Sequence, residues 1–449
     1  MTGAAAPPQR RLSIAHLALL LPWVALVIDA WDPINDNSFL WHVRAGTLQA
    51  EQGSVLTTDP FSFTMVEEPW LTQSWLTELL YGWAENLTGL GFTPYLILIV
   101  GTLTFVAMGL IAYHHARSVP ATAFVLILGV IALISFLVPR PVIFSYLLMT
   151  LAIMAWDRPR TRWALPFLFW IWASVHASFI IGLAYLGLTL IMRKEWRQLP
   201  TVSVAALATL ATAHGLGILT FLLDFGESSG ALQYLSEWRR PELLEPVFLP
   251  FAGTVVFLLI GAFRGRVLPR HLWVIVPFVV LGLNSVRSIP PAFLGLIPLL
   301  ALSLAGLEIG SRGGLRPRLA LVFGLVVFAL PFLLISGSKL SEERFPLEAA
   351  AHLDEVNTFH DDVVGGYLIW SRGPELKVFL DDRAELYGAR LGEFVEVRRM
   401  ETPWEPIFER DGIQQALLRN DEALRKSLGD AGWVTVHVDD NFSILRPDA

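Results

Sequence analysis

Long runs of apolar residues, separated by short polar segments, occupy most of residues 12–336. The runs lie at about 14–28, 92–113, 120–138, 141–156, 163–192, 201–223, 250–263, 271–285, 289–308 and 318–336. A helix that crosses a bilayer needs roughly 17–25 apolar residues, and fewer when it is kinked or shielded. The run at 163–192 is too long for one upright crossing, so we expect a turn near Val175–Ser178 that makes either two short crossings or a re-entrant pair. The pattern predicts an α-helical polytopic membrane protein with about eleven spans.

Basic residues are concentrated in the short segments between the apolar runs. They are Arg10, Arg11, Arg117, Arg158, Arg160, Arg162, Arg193, Lys194, Arg197, Arg264, Arg266, Arg270, Arg312, Arg316 and Arg318. Lysine and arginine are enriched in cytoplasmic loops. If all these segments are cytoplasmic, the N-terminus lies in the cytoplasm and the C-terminus outside. We therefore expect a multi-pass protein of the cell (inner) membrane with this orientation.

Two other parts of the chain have a different composition. The segment 31–91 is acidic and rich in tryptophan, and apolar residues in 38–52 and 74–87 recur at helical spacing. From residue 338 onward the composition becomes that of a soluble protein. This part contains strand-like segments (Leu376–Leu380, Trp433–Val438, Asn441–Leu445) and helix-like segments (Pro346–His352, Asp411–Leu418, Glu422–Ala431). We predict a multi-span domain at 1–337 with a large outer loop at 31–91, and a small extracytoplasmic α/β domain at 338–449.

The composition agrees with this division and excludes several classes of protein. Charged residues make up 16% of the chain, against about 25% in average soluble domains. The chain has no cysteine, which excludes disulfides and thiolate metal sites. It has no basic groove for nucleic acid, no glycine-rich phosphate loop and no H-E-x-x-H or G-x-S-x-G motif. Neither an ATP-driven machine nor a zinc protease is supported.

A cluster of ionisable residues follows the first apolar run. Asp29, Asp32, Asp36, His42 and Arg44 fall within 16 residues at the expected outer membrane surface. A carboxylate there can act as a general base or bind a metal ion. The alternative is structural, because Asp32 and Asp36 are both suitable N-cap residues for a helix starting near Ser38. The residues alone leave both interpretations open.

Three further ionisable residues are expected near the outer ends of spans. Arg140, between two prolines, could bind a phosphate bidentately or anchor its turn at the interface. His176 lies at the turn of the broken 163–192 run, where an ionisable side chain is a functional candidate unless backbone carbonyls satisfy it. Arg287 could contact a phosphate or extend to the interface.

The predicted C-terminal domain has its own charged segment. Asp381, Arg383 and Glu385 follow an apolar stretch. They could form the edge of a binding site or an internal salt-bridge network that ties this domain to the membrane part. We favour the structural interpretation.

The order of these features resembles the GT-C class of membrane glycosyltransferases. More specific similarity, to bacterial multi-span proteins described as GT-C-like, lies in the motifs Asp36-x5-His42-x3-Gly46, Asp59-Pro-Phe-Ser-Phe-Thr64, Trp70, Trp75-Leu-x-Glu78, Gly365-Gly-Tyr-Leu-Ile-Trp370 and Val378-Phe-Leu-Asp-Asp-Arg383-x-Glu-Leu-Tyr387. GT-C enzymes use polyprenyl-phosphate-linked sugars and carry an essential aspartate in the first outer loop. Their usual acidic motif is an adjacent pair or D-x-D, whereas Asp32 and Asp36 are four apart.

The resemblance implies an inverting sugar transfer from a lipid-linked donor in the membrane lipid to a glycan, lipid or protein acceptor. Asp36 would be the general base, oriented by His42 or Asp32, and Arg140, Arg287 and His176 would hold the donor phosphate. No cofactor is certain and no metal ligand is assigned, but a divalent cation is compatible. The alternative is a non-enzymatic protein, either a membrane transporter, which the broken helix pair would suit, or an envelope-assembly scaffold.

Overall fold

The computed structural model describes residues 14–227, 236–308 and 338–448. The predicted last span at 318–336 and the basic residues Arg10, Arg11, Arg312, Arg316 and Arg318 lie outside this part of the chain.

The described residues up to 308 are mostly helical. The helices are α1 (Ile14–Ala18), α2 (Leu21–Asp29), α3 (Asn37–Gln52), α4 (Trp75–Thr88), α5 (Thr93–Ala116), α6 (Val119–Leu133), α7 (Val142–Asp157), α8 (Leu165–Val175), α9 (Phe179–Arg193), α10 (Leu199–Ala208), α11 (Gly217–Glu227), α12 (Leu249–Phe263), α13 (Leu272–Asn284) and α14 (Ile289–Ser303). Three continuous helical stretches in the described residues are long and apolar enough to cross a membrane: Trp75–Ala116, Val119–Phe136 and Val286–Ser303. Shorter apolar helices accompany them.

The helices pack around a core formed by α5, α7 and α14. Phe293, Leu294, Ile297 and Leu300 of α14 are fully buried in this core. On the outside of the bundle, large apolar side chains such as Phe263 are exposed. Extended apolar surface is unfavourable in water and is stable in lipid. The chain is a polytopic membrane protein, as predicted, although the number of spans stays a prediction.

The predicted break in the 163–192 run is present. Helix α8 ends at Val175, α9 begins at Phe179, and His176 between them has an extended backbone (φ −168°, ψ 141°). An extended residue cannot continue a helix, so the two helices separate here. Whether the pair crosses twice or re-enters stays a prediction.

The C-terminal part contains a small sheet with helices. Its elements are β1 (Thr358–Phe359), α15 (Asp362–Arg372), α16 (Ala384–Tyr387), α17 (Ala389–Arg398), α18 (Glu405–Arg410), β2 (Gln415–Arg419), α19 (Ala423–Asp430), β3 (Trp433–Val438) and β4 (Phe442–Pro447). The strand order is β1-β2-β4-β3; β1 and β2 are parallel, and the other two pairs are antiparallel. The predicted α/β character is confirmed.

Two local predictions in this part are wrong. The helix predicted at Asp411–Leu418 is instead the loop before β2 and most of β2 itself, because its apolar residues are buried between β1 and β4. The strand predicted at Leu376–Leu380 makes only an isolated parallel bridge, between Val378 and Ser62 of the first outer loop.

The first outer loop packs against the C-terminal part. Phe39, Trp41 and Phe61 share one hydrophobic core with residues of α15 and β2. At the contact between α3 and α15, a Cβ on Gly366 would lie 2.6 Å from the carbonyl oxygen of Asn37, so only glycine permits this approach. The two segments therefore form one packed unit, and the boundary at residues 337 and 338 stays a prediction.

Candidate active site

A cavity of about 400 Å³ lies where the membrane bundle, helices α3 and α4 and the C-terminal part meet. Its wall combines charged, polar and aromatic side chains. They include Ser38, Trp41, His42, Trp70, Gln73, Glu78, Arg140, Tyr146, Trp172, His176, Ser178, Glu237, Arg287, Asp362, Asp382, Arg383 and Glu385. The structure therefore brings Arg140, His176, Arg287, His42, Arg383 and Glu385 from the sequence-predicted set to one cavity.

His42 and Glu78 form a pair in the cavity wall. Helices α3 and α4 touch backbone to backbone at Gly46, where an added Cβ would lie 1.7 Å from the carbonyl oxygen of Glu78. This approach brings Nδ1 of His42 to 2.9 Å from Oε1 of Glu78, and Gln49 donates to Oε2 of Glu78 at 2.6 Å. Burial lowers the pKa of His42 to about 3, which keeps its imidazole neutral. A neutral imidazole that donates through Nδ1 offers Nε2 as a hydrogen-bond acceptor.

Asp36 is both a helix cap and an ion-pair partner. As the N-cap residue of α3 it accepts a hydrogen bond from the backbone N–H of Phe39 at 2.9 Å. Its other oxygen accepts from Nε of Arg140 at 2.6 Å. Asp36 lines an adjoining cavity of about 350 Å³, which shares the side chains of Arg140, Glu237 and Arg287 with the main one. The sequence left open whether Asp36 caps a helix or has a functional role. The structure shows that the same carboxylate can do both, because each oxygen has a different partner.

Arg140, Glu237 and Arg287 form a connected charge group. Arg140 donates to Oε1 of Glu237 at 2.9 Å, and Arg287 donates to Oε2 at 3.3 Å. Burial would lower the pKa of Arg140, but Asp36 and Glu237 reverse this effect and raise it. Burial would likewise raise the pKa of Glu237, but Arg140 and Arg287 lower it. Arg140 and Glu237 therefore both keep their charge at neutral pH.

Further carboxyl groups reach the cavity from the C-terminal part. Asp382 accepts hydrogen bonds from Nε1 of Trp41 at 2.7 Å and from the hydroxyl of Ser38. Burial raises the pKa of Asp382. It also raises the pKa of Asp362 to about 7 and that of Glu385 to about 6. Asp362 and Glu385 can therefore hold or release a proton near neutral pH.

Two of the site residues predicted from the sequence, Asp32 and Asp381, line neither cavity. Asp32 is exposed. Asp381 is buried beneath the cavity wall, where it accepts from Arg383 at 2.6 and 2.8 Å and from Tyr387 at 2.8 Å. Arg383 also donates to Asp59 at 2.8 Å. This geometry supports the interpretation of Asp381 and Arg383 as an internal salt-bridge network.

His176 is held by its own turn. Its Nδ1 lies 3.0 Å from the hydroxyl of Ser178 and accepts from the Ser178 backbone N–H at 3.1 Å. Gln73 of the outer loop accepts from the backbone N–H of Ala177 at 2.8 Å. The turn between α8 and α9 is thus fixed against the outer loop, with His176 in the cavity wall.

The described residues contain one group of three side chains that could hold a metal ion. Three His, Asp or Glu ligand atoms lie within 4.8 Å of one another at Glu348, His352 and His437, which do not line the cavity. A divalent cation in the cavity stays a prediction.

Comparisons with known proteins agree with the resemblance at the level of the fold. No family model and no curated protein sequence matches the chain. Among solved structures, ArnT from Cupriavidus metallidurans, crystallised with undecaprenyl phosphate, is similar over 97% of this chain and 98% of its own, with a TM-score of 0.50 and 14% identity. The chain therefore shares its overall fold with ArnT. At this identity the likeness shows the fold alone.

Within this fold, sequence reasoning missed several charged residues of the cavity, among them Glu78, Asp382 and Glu237. Glu78 and Asp382 belong to motifs that were noted, but nothing in the sequence showed that they face a cavity. Glu237 lies in a loop rich in both acids and arginines, where its pairing with Arg140, 97 residues away, depends on tertiary packing.

Proposed function

We propose that the protein transfers a sugar from a polyprenyl-phosphate-linked donor to an extracytoplasmic acceptor. The observation that carries the proposal is the wall shared by the two cavities, where Arg140 donates to the carboxylate of Asp36 and is linked through Glu237 to Arg287. Cations suited to a phosphate thus adjoin a group that can accept a proton. The common fold with ArnT, whose structure contains undecaprenyl phosphate, supports a lipid-phosphate ligand.

The proposed reaction is a single displacement. The acceptor hydroxyl oxygen attacks the anomeric carbon, the bond from that carbon to the phosphate oxygen breaks, and the configuration inverts. Polyprenyl phosphate leaves with an additional negative charge, which Arg140 and Arg287 stabilise as a pair of guanidinium groups. The hydroxyl proton passes to Asp36, with His42 and the buried Asp382 close by.

Glu237 would act as a substitute anion in the ligand-free protein. It bridges Arg140 and Arg287, the two cations assigned to the donor phosphate. A phosphate that binds both arginines must displace this carboxylate. Once Arg140 turns toward the phosphate, the carboxylate oxygen of Asp36 that it held is free to accept a hydrogen bond from the acceptor hydroxyl.

Replacing Glu237 by glutamine should strengthen donor binding. The amide keeps the shape but removes the charge that competes with the phosphate, so we expect the Kd for undecaprenyl phosphate to fall several-fold. The shift of the unfolding temperature with added lipid measures this affinity. The matched control is Glu242→Gln, in the same loop. Glu242 is exposed, and its ion pair with Arg239 is weak because the charged atoms are 4.0 Å apart. Weaker binding by Glu237→Gln would mean that Glu237 positions the arginines rather than competing with the ligand.

The function itself is tested by following the sugar. Purified protein is incubated with undecaprenyl-phosphate-linked sugars and an envelope extract, and lipid-linked sugars are compared between strains with and without the gene. The proposal expects a labelled acceptor, free polyprenyl phosphate, and accumulation of donor in the deletion strain. Binding of the donor without cleavage of its glycosidic bond would instead support transport.

The orientation is part of this proposal and can be tested without background labelling, because the chain has no cysteine. Arg160 and Glu409 are exposed residues from a predicted cytoplasmic loop and the C-terminal part. In intact cells, Glu409→Cys should react with a maleimide that crosses only the outer membrane, whereas Arg160→Cys should react only after permeabilisation. The opposite pattern would invert the topology.

A further inference from the structure

A second group of ligand-type side chains lies away from the cavity, on the C-terminal part. The 3-10 turn Ala349–His352 meets β3, the edge strand of the sheet. There the ligand atoms of Glu348, His352 and His437 all lie within 4.8 Å of one another. The group combines two imidazoles and one carboxylate from two segments far apart in the chain.

The backbone at this edge has an irregularity at the residue concerned. The pairing of β3 with β4 shifts register between Thr435 and His437. A bulge of this kind changes the direction of a side chain on the strand. The ring of His437 stacks on that of His352, with centroids 4.1 Å apart and planes at 21°. The two imidazoles are thus held face to face, with their ring nitrogens close together.

One nitrogen of this group lacks a partner. Nε2 of His437 is shielded from solvent and has no hydrogen bond. A buried polar atom left unsatisfied costs about 1–3 kcal/mol, so such atoms are uncommon in folded proteins. A coordinated metal ion would remove this cost, because a neutral imidazole nitrogen is a good ligand.

We propose that Glu348, His352 and His437 bind a zinc ion. Two imidazoles with one carboxylate form a ligand set that Zn²⁺ uses in proteins, with a fourth position for water. Calcium and magnesium prefer oxygen ligands throughout and suit this set poorly. Zinc bonds of about 2.0–2.2 Å place tetrahedral ligands about 3.4 Å apart. Side chains within 4.8 Å reach that spacing by small rotations, and Glu348 and His352 are exposed enough to make them.

The zinc ion would act as a clip on the C-terminal part. It would join the 3-10 turn Ala349–His352 to β3, the edge strand of the sheet. Since binding to the folded state alone stabilises it, zinc should raise the unfolding temperature. The site is separate from the cavity, and the proposal does not depend on sugar transfer.

The test is a zinc titration of the full chain in detergent, purified with a histidine-free tag and freed of metal by a chelator. Calorimetry should give one tight zinc ion per chain and the unfolding temperature should rise, while magnesium should produce neither effect. His437→Asn and Glu348→Gln should each weaken zinc binding at least 10-fold. The matched control is Glu355→Gln, which removes an exposed carboxylate from the same region outside the group.

Two results would overturn the site. One is the absence of saturable zinc binding by the unaltered chain. The other is zinc binding by Glu348→Gln and His437→Asn that equals that of the Glu355→Gln control, since the ion would then sit on other histidines. Because Glu348 is exposed, its variant should fold normally and keeps the test decisive if His437→Asn does not fold.

Discussion

Replacing Arg383 by methionine should destabilise the protein by about 3–5 kcal/mol, the usual cost of removing one partner from a buried ion pair. The Arg383 side chain is 0% exposed and so are those of Asp59 and Asp381. Its guanidinium donates to both carboxylates and lies 4.3 Å from the centre of the Trp70 ring. Methionine fills part of the volume but leaves two buried carboxylates without a cation.

The measurement is the unfolding midpoint of each variant in detergent. The matched control is Arg410→Met, because Arg410 pairs with Glu393 where the side chains are 43% and 44% exposed, and its second partner, Asp411, keeps Arg390 as a cation. Such a surface pair contributes about 0–1 kcal/mol. Equal shifts for the two variants would contradict the structural role of the Arg383 network. A large shift for Arg383→Met alone would show that the network joins the first outer loop to the C-terminal part.

The helices of the bundle could largely be predicted from the sequence because their signal is local. Apolar runs marked the membrane helices, and the overlong 163–192 run indicated the break that the structure has at His176. Helical spacing likewise predicted α3 and α4 within two residues of their ends. Each of these features depends on neighbours in the sequence.

The failures depend on residues far away in the chain. The sequence predicts a helix at Asp411–Leu418. Gln415–Arg419 is instead a strand, because β1 and β4 supply hydrogen bonds on both sides. Tertiary pairing of this kind overrides local preference. The predicted strand at Leu376–Leu380 fails for the same reason, since its partner is the outer loop at Ser62.

The candidate site shows the same limit. Asp36, Arg140 and Arg287 could be proposed one by one from their places at the ends of apolar runs. Their contacts could not, because Asp36 and Arg140 are 104 residues apart and meet only when α3 packs on the bundle. The sequence also could not decide between a capping and a catalytic role for Asp36. In the structure one oxygen of Asp36 caps the helix and the other accepts from Arg140.

Asparagine at position 36 should reduce the rate of sugar transfer by about 10²–10⁴-fold, the range typical of a lost general base. Asparagine is as good an N-cap residue as aspartate, so α3 should remain capped and the fold intact. The Asp36→Asn change also frees Arg140 from its ion pair. We therefore expect kcat to fall while the affinity for undecaprenyl phosphate is unchanged or increased.

The matched control for Asp36→Asn is Asp361→Asn. Asp361 also caps a helix, accepting from the backbone N–H of Val364 at 2.7 Å, and it pairs with Arg398 at 3.3 Å, but it lines neither cavity. It should retain the full rate. A loss of lipid binding together with kcat in Asp36→Asn would mean that the aspartate only positions Arg140. A near-normal rate would move the base to a group of the main cavity such as Asp382 or His42.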